Sequence, residues 1–198
     1  MTPTPFSEEL ERILAHAWCH HVRRDYRLNR LWGGERALQV SLGMGLRQWL
    51  DPYPEIRVWF EATHPYRKQG KDSTKIVDLI IVRLSPEHAK QGDHVYDEMA
   101  DIQYDDLLIC ELKYSSSKTR SIDTDLAFLE QSQVQTSDVV QVFGWIPYTD
   151  EKTRAQEKID LIVAKTAAFP LRFMLGRPTS PFRWSYYGNG EEMYFSQD

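Results

Sequence analysis

Three charged residues lie in the interior of two short apolar segments, and residues of these types could support phosphodiester hydrolysis. Asp78 lies in Lys75–Val82 (KIVDLIIV), whereas Glu111 and Lys113 lie in Asp106–Tyr114 (DLLICELKY). Both segments are rich in Ile, Val and Leu and are bounded by polar residues, which predicts two buried β-strands. A charged side chain inside such a strand is costly unless it is paired, hydrogen-bonded or bound to a metal ion.

The spacing within the second strand decides which side chains can act together. Side chains alternate between the two faces of a strand, so Glu111 and Lys113 share one face and Leu112 takes the other. Two carboxylates with an amine beside them predict a metal site of the kind that assists phosphodiester cleavage. The alternative is a buried ion pair, but two acids against one lysine would leave a negative charge for a metal ion to compensate.

The helix that precedes these strands is predicted to supply a further acid. It runs from Glu35 to Leu50, because Gly33-Gly34 and Asp51–Pro54 bound the segment at its two ends. Glu35 falls within roughly 20° of the centre of the apolar stripe, so its carboxylate is aimed at the core. Alternatively, Glu35 only occupies the first turn, where an acid favours the helix dipole. The stripe consists of Leu38, Leu42, Leu46, Trp49 and Leu50.

The rest of the chain supplies further helices and strands. Their order predicts an α/β or α+β protein in which helices flank a sheet. Glu151–Lys165 leaves two options open, a helix or, for Ile159–Ala164, a strand. The other predicted features are a helix that begins at Ser7, a strand at Ile56–Ala62, a polar loop at His64–Thr74, an acidic insertion at Ser85–Asp105, a helix at Asp123–Gln135, a strand at Val139–Ile146 and a C-terminal β-hairpin of Phe182–Tyr187 with Glu192–Phe195.

With these elements in this order, the chain resembles the PD-(D/E)xK nuclease superfamily, whose fold is restriction-endonuclease-like. The resemblance covers residues 31–135 and is carried by Asp78 in VDLII and by Glu111-Leu112-Lys113 (ELK) on the next strand. Val77 stands where the family motif has proline, and no glutamine-x-x-x-tyrosine follows Lys113. The resemblance implies a central mixed β-sheet flanked by helices, and the length of 198 residues predicts a single domain over residues 1–198. In that domain, an N-terminal helix (1–30) precedes the catalytic core (31–165) and C-terminal strands (166–198).

The resemblance also implies a role for each candidate residue. Asp78 and Glu111 would bind one or two Mg²⁺ ions, with Mn²⁺ expected to substitute, and the backbone carbonyl of Leu112 would complete the coordination. Lys113 would orient or deprotonate the attacking water, and Glu35 would bind metal directly or through water. DNA is the expected substrate, and a homodimer is an expected arrangement. The alternative is a catalytically silent member of this fold that acts as a nucleic-acid-binding or assembly module.

Basic and aromatic side chains elsewhere could contact a nucleic acid. Arginines and lysines near the catalytic helix and strand could grip phosphates, although a solvated charged face is the competing interpretation. The aromatic residues of the terminal hairpin could stack on bases or pack at a sheet edge. The basic candidates are Arg23, Arg24, Arg27, Arg30, Arg36, Lys118 and Arg120, and the aromatic ones are Trp184, Tyr186, Tyr187, Tyr194 and Phe195.

Other features of the sequence argue against several classes of function. His16 and His20 lie four residues apart, as zinc ligands on a helix do, but Ala17 stands where a metalloprotease has its glutamate. Gly70-Lys71 is followed by Asp72, so there is no P-loop and we expect no use of ATP. The net charge of −5 argues against a protein that coats nucleic acid nonspecifically. The two cysteines form no ligand pattern, and no apolar run is long enough to span a membrane, so we expect a cytoplasmic protein.

Overall fold

The computed structural model describes residues 5–29, 34–68, 71–89, 104–114, 119–135, 139–147, 152–177 and 183–197. Seven strands and the helices between them account for almost all of these residues. The helices are α1 (Pro5–His16), a π-helical turn (Ala17–Val22), α2 (Arg23–Asn29), α3 (Glu35–Leu50), α4 (Pro86–Ala89), α5 (Thr119–Gln135) and α6 (Lys152–Ala168). The strands are β1 (Ile56–Lys68), β2 (Lys71–Leu84), β3 (Tyr104–Tyr114), β4 (Val140–Ile146), β5 (Leu171–Arg177), β6 (Arg183–Gly188) and β7 (Glu191–Gln197).

The seven strands form one mixed sheet in which spatial order follows chain order. Strand β2 pairs antiparallel with both β1 and β3, whereas β3, β4 and β5 run parallel to one another. Strands β6 and β7 complete the sheet as an antiparallel hairpin. Parallel neighbours need crossover connections, and α5 and α6 supply them. The predicted mixed α/β sheet with flanking helices is therefore confirmed at the level of fold class.

Two apolar clusters pack on opposite faces of this sheet. The first joins the N-terminal helices and α3 to the sheet, with Trp18 and Leu42 fully buried. The second joins α5 and α6 to the other face through residues such as Leu126 and Ile162. Successive residues of β3, for example Leu108 and Ile109, enter different clusters, as the alternation of a buried strand requires. Among the described helices, none is both long enough and apolar enough to cross a membrane.

Several sequence predictions about the helices are confirmed, and others are corrected. Helix α3 has the predicted bounds, but Trp49 is 45% exposed rather than part of the buried stripe. Of the ambiguous segment Glu151–Lys165, the described residues from Lys152 onward belong to α6, so the strand option for Ile159–Ala164 is wrong. Helix α1 begins at Pro5, two residues before the predicted N-cap.

The predicted polar loop at His64–Thr74 is wrong, because most of this segment belongs to a long hairpin. The pairing of β1 with β2 continues from His64 opposite Lys75 to Lys68 opposite Lys71. Polar strands of this kind lack the apolar alternation that marks a strand in sequence. The hairpin is held by α5, because Lys75 lies over the Phe128 ring at 4.4 Å and the His64 ring lies 6.2 Å from it.

The C-terminal part contains the predicted hairpin and one strand that the sequence did not indicate. Strand β5 has a short apolar core between Arg172 and Arg177, and its pairing with β4 and β6 on both sides fixes it as a strand. Trp184 and Tyr186 are fully buried, so base stacking by these two residues is wrong. Their side chains fill the first cluster instead. Only the start of the predicted Ser85–Asp105 insertion (α4) and its last two residues (in β3) are described, and residues 90–103 lie outside the described part.

Candidate active site

The sheet is interrupted at Asp78. Regular pairing of β1 with β2 skips the position where Glu61 would face Asp78, and pairing of β2 with β3 stops at Leu79 opposite Cys110. Glu61 has a φ of 49°, a left-handed conformation that is uncommon outside glycine. Such conformations cost energy and occur most often at functional sites. Asp78 therefore lies at a gap in the hydrogen-bonded sheet.

The Asp78 carboxylate fills this gap by accepting hydrogen bonds from two elements. The backbone N–H of Leu112 on β3 donates to Oδ2 at 2.6 Å, and Nε2 of Gln39 on α3 donates to Oδ1 at 2.8 Å. Gln39 is only 5% exposed. The sequence analysis missed Gln39, although it lies one helical turn after Glu35 and therefore on the same face of α3.

Glu111 is the most deeply buried acid of the site, with a side chain that is 3% exposed. The Nζ atom of Lys75 lies 2.7 Å from its Oε1. Burial raises the pKa of Glu111 to about 8, since the favourable charge of Lys75 is opposed by the carboxylates of Asp78 and Asp125. Burial therefore favours the protonated carboxyl group, whereas the Lys75 ammonium favours the ionised carboxylate.

Lys113 projects from β3 on the same side as Glu111, as predicted, and its side chain is 12% exposed. Its Nζ lies 3.2 Å from Oε1 of Glu35, 3.1 Å from the carbonyl oxygen of Leu112 and 3.2 Å from Oδ2 of Asp125. Burial lowers the pKa of Lys113, but the surrounding carboxylates, Asp125 foremost, outweigh burial and raise it above its ordinary value. The ammonium form is therefore favoured.

Asp125 on α5 and Lys75 on β2 are two site residues that the sequence analysis missed. Oδ1 of Asp125 accepts a hydrogen bond from Lys75 at 2.7 Å, while Oδ2 faces Lys113 at 3.2 Å, so one carboxylate bridges both lysines. Asp125 had a sequence signal, since it lies next to Leu126 on the buried side of α5. Lys75 had none, because it lies three positions before Asp78 and a regular strand would place the two side chains on opposite faces.

Glu35 reaches the site from the first turn of α3, as predicted, and its side chain is 40% exposed. Burial raises the pKa of Glu35, and the carboxylate of Asp78 adds to this, while Lys113 opposes it. Gly34 precedes the helix with φ 62° and ψ −134°, a combination that only glycine adopts readily. This conformation sets the direction in which α3 starts and hence the position of Glu35.

Replacing Gly34 with alanine is expected to lower the free energy of unfolding by about 1–3 kcal/mol. The nearest atom to the added Cβ, Cδ1 of Tyr114, is 3.8 Å away, so the cost comes from the backbone conformation and not from a clash. Urea unfolding monitored by circular dichroism measures this difference. An unchanged midpoint and slope would mean that the start of α3 relaxes without cost.

The residues that meet here suit Mg²⁺, which needs few protein ligands, better than a metal ion that is coordinated entirely by protein side chains. Asp78, Glu111 and the Leu112 carbonyl offer hard oxygen atoms, and the site holds four carboxylates against two ammonium groups. Among the described residues, no group of three or more His, Cys, Asp or Glu side chains is close enough to hold an ion. Mg²⁺ commonly uses one or two carboxylates and takes its remaining ligands from water and substrate phosphates, which fits this arrangement.

The basic residues proposed to contact nucleic acid are only partly described. Arg36 is exposed next to Glu35 and pairs with Glu61 at 3.3 Å. Arg24 is exposed on α2 and contacts Asp25 at 3.4 Å. Arg23 is half-buried and Arg27 exposed, Arg120 belongs to α5 but its side chain is not described, and Arg30 and Lys118 lie outside the described residues. Contact with nucleic acid stays a prediction for all seven.

The histidines of the N-terminal helices form a separate surface pair. The rings of His16 and His20 lie with their centroids 4.5 Å apart, and both residues are exposed, whereas Cys19 between them is buried. Within the described part of the chain, no third side chain joins them to hold a metal ion. The pair therefore gives no support to the zinc alternative.

No family model matches this chain, and neither a curated protein nor a solved structure matches it significantly.

Proposed function

We propose that this chain is a Mg²⁺-dependent nuclease of the PD-(D/E)xK superfamily that hydrolyses phosphodiester bonds in DNA. One observation carries the proposal: Glu35 from α3, Asp78 from β2, and Glu111 and Lys113 from β3 converge at the gap in the sheet. Three acids and a lysine from three elements, partly open to solvent at Glu35, could support metal-assisted hydrolysis.

Each residue has a task that follows from its surroundings. A bound Mg²⁺ would lower the pKa of a coordinated water and offset charge on the phosphate. Asp78 and Glu111 would hold the ion together with the Leu112 carbonyl, and Glu35 would bind it directly or through water. Lys113, which is held by Asp125 and Glu35, would orient the attacking water and stabilise negative charge on the phosphate.

The order of elements supports the restriction-endonuclease-like fold as part of this proposal. Helix α3 is followed by β1, β2 with Asp78, β3 with Glu111 and Lys113, and then α5. This is the order on which the resemblance rests. The same proposal includes that the protein is cytoplasmic, that it acts as a homodimer and that it does not use ATP.

A cleavage panel with purified protein tests the proposed activity. Supercoiled plasmid, linear duplex, single-stranded DNA and RNA are incubated with Mg²⁺, Mn²⁺ or EDTA. We expect metal-dependent cutting of DNA and none in EDTA. Lys113→Ala is purified in parallel as a control. A contaminating nuclease would be present in both preparations, so equal cutting by the variant would indicate contamination.

A second function is favoured by one observation: each carboxylate of the site already has an N–H or ammonium partner. Glu111 faces Lys75, and both oxygens of Asp78 accept hydrogen bonds. Such a network could stabilise a fold that binds nucleic acid without cutting it. Binding of a labelled duplex with no cutting in either metal ion would favour this binding module over the nuclease.

A further inference from the structure

Two carboxylates and an aromatic ring surround the ammonium group of Lys75. Its Nζ lies 2.7 Å from both Glu111 Oε1 and Asp125 Oδ1, and 4.4 Å from the centre of the Phe128 ring. The side chain is 20% exposed, so neither solvent nor salt fully screens its charge. The Lys75 ammonium thus contacts Oε1 of Glu111, a proposed metal ligand. This contact lies on the α5 face of the sheet, whereas α3, which supplies Gln39, packs on the other face.

The position of Lys75 depends on the interruption of the sheet. Beyond Glu61 and Asp78, Ala62 and Val77 both pack into the second cluster, so the outer half of the β1–β2 hairpin turns toward α5. This turn brings Lys75 to Glu111, which the alternation of a regular strand would not do. The same irregularity therefore opens the sheet at Asp78 and delivers a positive charge beside it.

We infer that Lys75 is an internal counter-ion that competes with the divalent cation for the Glu111 carboxylate and so limits the affinity of the metal site. The inference rests on the proposed metal site but not on cleavage. A cation bound to Glu111 would lie close to the Lys75 ammonium, and the two positive charges would repel. At about 4 Å in a protein interior, one unit charge alters an equilibrium by more than tenfold, even with an effective dielectric constant near 20.

Lys75 is a positioning residue by this argument, so its test measures metal binding and not activity. Isothermal calorimetry with Mg²⁺ alone compares the wild type with Lys75→Met, which keeps the length and apolar contacts of the side chain without its charge. We expect Lys75→Met to bind Mg²⁺ at least about tenfold more tightly. Lys75→Arg keeps the charge and is expected to bind as the wild type does.

The chain offers a matched control in Lys165 on α6. Lys165 also pairs with a glutamate, Glu130, and lies over an aromatic ring, that of Phe169, but it is not among the residues that meet at the site. Lys165→Met should leave the Mg²⁺ affinity unchanged. If Lys75→Met does not fold, Lys75→Gln replaces it, because its amide can still donate to one of the two carboxylates.

The outcomes separate this inference from the proposed nuclease. Tighter Mg²⁺ binding by the uncharged Lys75 variants and not by Lys165→Met supports it, whether or not either protein cuts nucleic acid. Unchanged or weaker binding overturns it, and so does a failure of both wild type and variant to bind Mg²⁺. Cleavage that fails while Mg²⁺ binding tightens would overturn the nuclease alone.

Discussion

Replacing Asp78 with asparagine is expected to leave the chain folded and to slow metal-dependent cleavage at least about a hundredfold. The asparagine carbonyl can still accept from the Leu112 N–H, and its amide can donate to Gln39 once the Gln39 side chain rotates by half a turn. The polar contacts of the gap are thereby kept. What is lost is the negative charge that a hard cation requires.

Single-turnover cleavage with saturating Mg²⁺ measures this effect, and urea unfolding checks that the fold persists. Asp123→Asn is the matched control, because Asp123 is an exposed acid on α5 that pairs with Lys158. We expect that control to cut at the wild-type rate. Cleavage by Asp78→Asn within a few-fold of the wild type would show that Asp78 holds no essential metal ion.

In the absence of metal, the free energy of unfolding is expected to fall as the pH rises from about 4.5 to 8. The pKa of Glu111 is raised from 4.5 to about 8 in the folded chain, so between these values the folded state binds more protons than the unfolded state. Each added pH unit therefore favours unfolding, with a limiting slope of about 1.4 kcal/mol per pH unit. The decline levels off above the folded pKa.

Mg²⁺ is expected to reverse this trend, because it binds the ionised carboxylate and displaces the proton. The gain in melting temperature on adding Mg²⁺ should grow between pH 6 and pH 8 and then level off. Thermal melts with Mg²⁺ or EDTA across this range measure it, with Glu111→Gln as the comparison. That variant should lack the pH-dependent loss attributed to Glu111 and most of the Mg²⁺ gain. A wild-type gain that does not depend on pH would contradict a role for Glu111 as a metal ligand.

The residues that converge at the sheet gap were predictable where local pattern determined their placement. The apolar segments around Asp78 and Glu111 form the predicted strands, and alternation placed Glu111 and Lys113 together. The helical stripe placed Glu35 on the face of α3 that meets Lys113, although its side chain stays partly exposed. These arguments need only the period of a strand or a helix.

The presence of Lys75 at the site was not predictable from the sequence, because it depends on the tertiary structure. Lys75 reaches the site through the left-handed residue Glu61 and the turn of the outer hairpin, and neither leaves a periodic signal in the sequence. Strand β5 was missed for a related reason, since neighbouring strands on both sides stabilise it and its own apolar core is short. Asp125 and Gln39 lay within recognised helices, but only the folded arrangement brings them to Asp78 and Lys113.

The most direct test of the proposed hydrolysis is the single-turnover rate of Lys113→Ala on plasmid DNA with Mg²⁺, compared with Lys165→Ala and the wild type. Lys113 contacts Glu35 and Asp125 at the site, whereas Lys165 pairs with Glu130 on the α5–α6 side of the sheet. We predict that wild type and Lys165→Ala cut at similar rates and that Lys113→Ala is slower by about a hundredfold or more. Equal rates for all three proteins would contradict a catalytic role for Lys113 at this site.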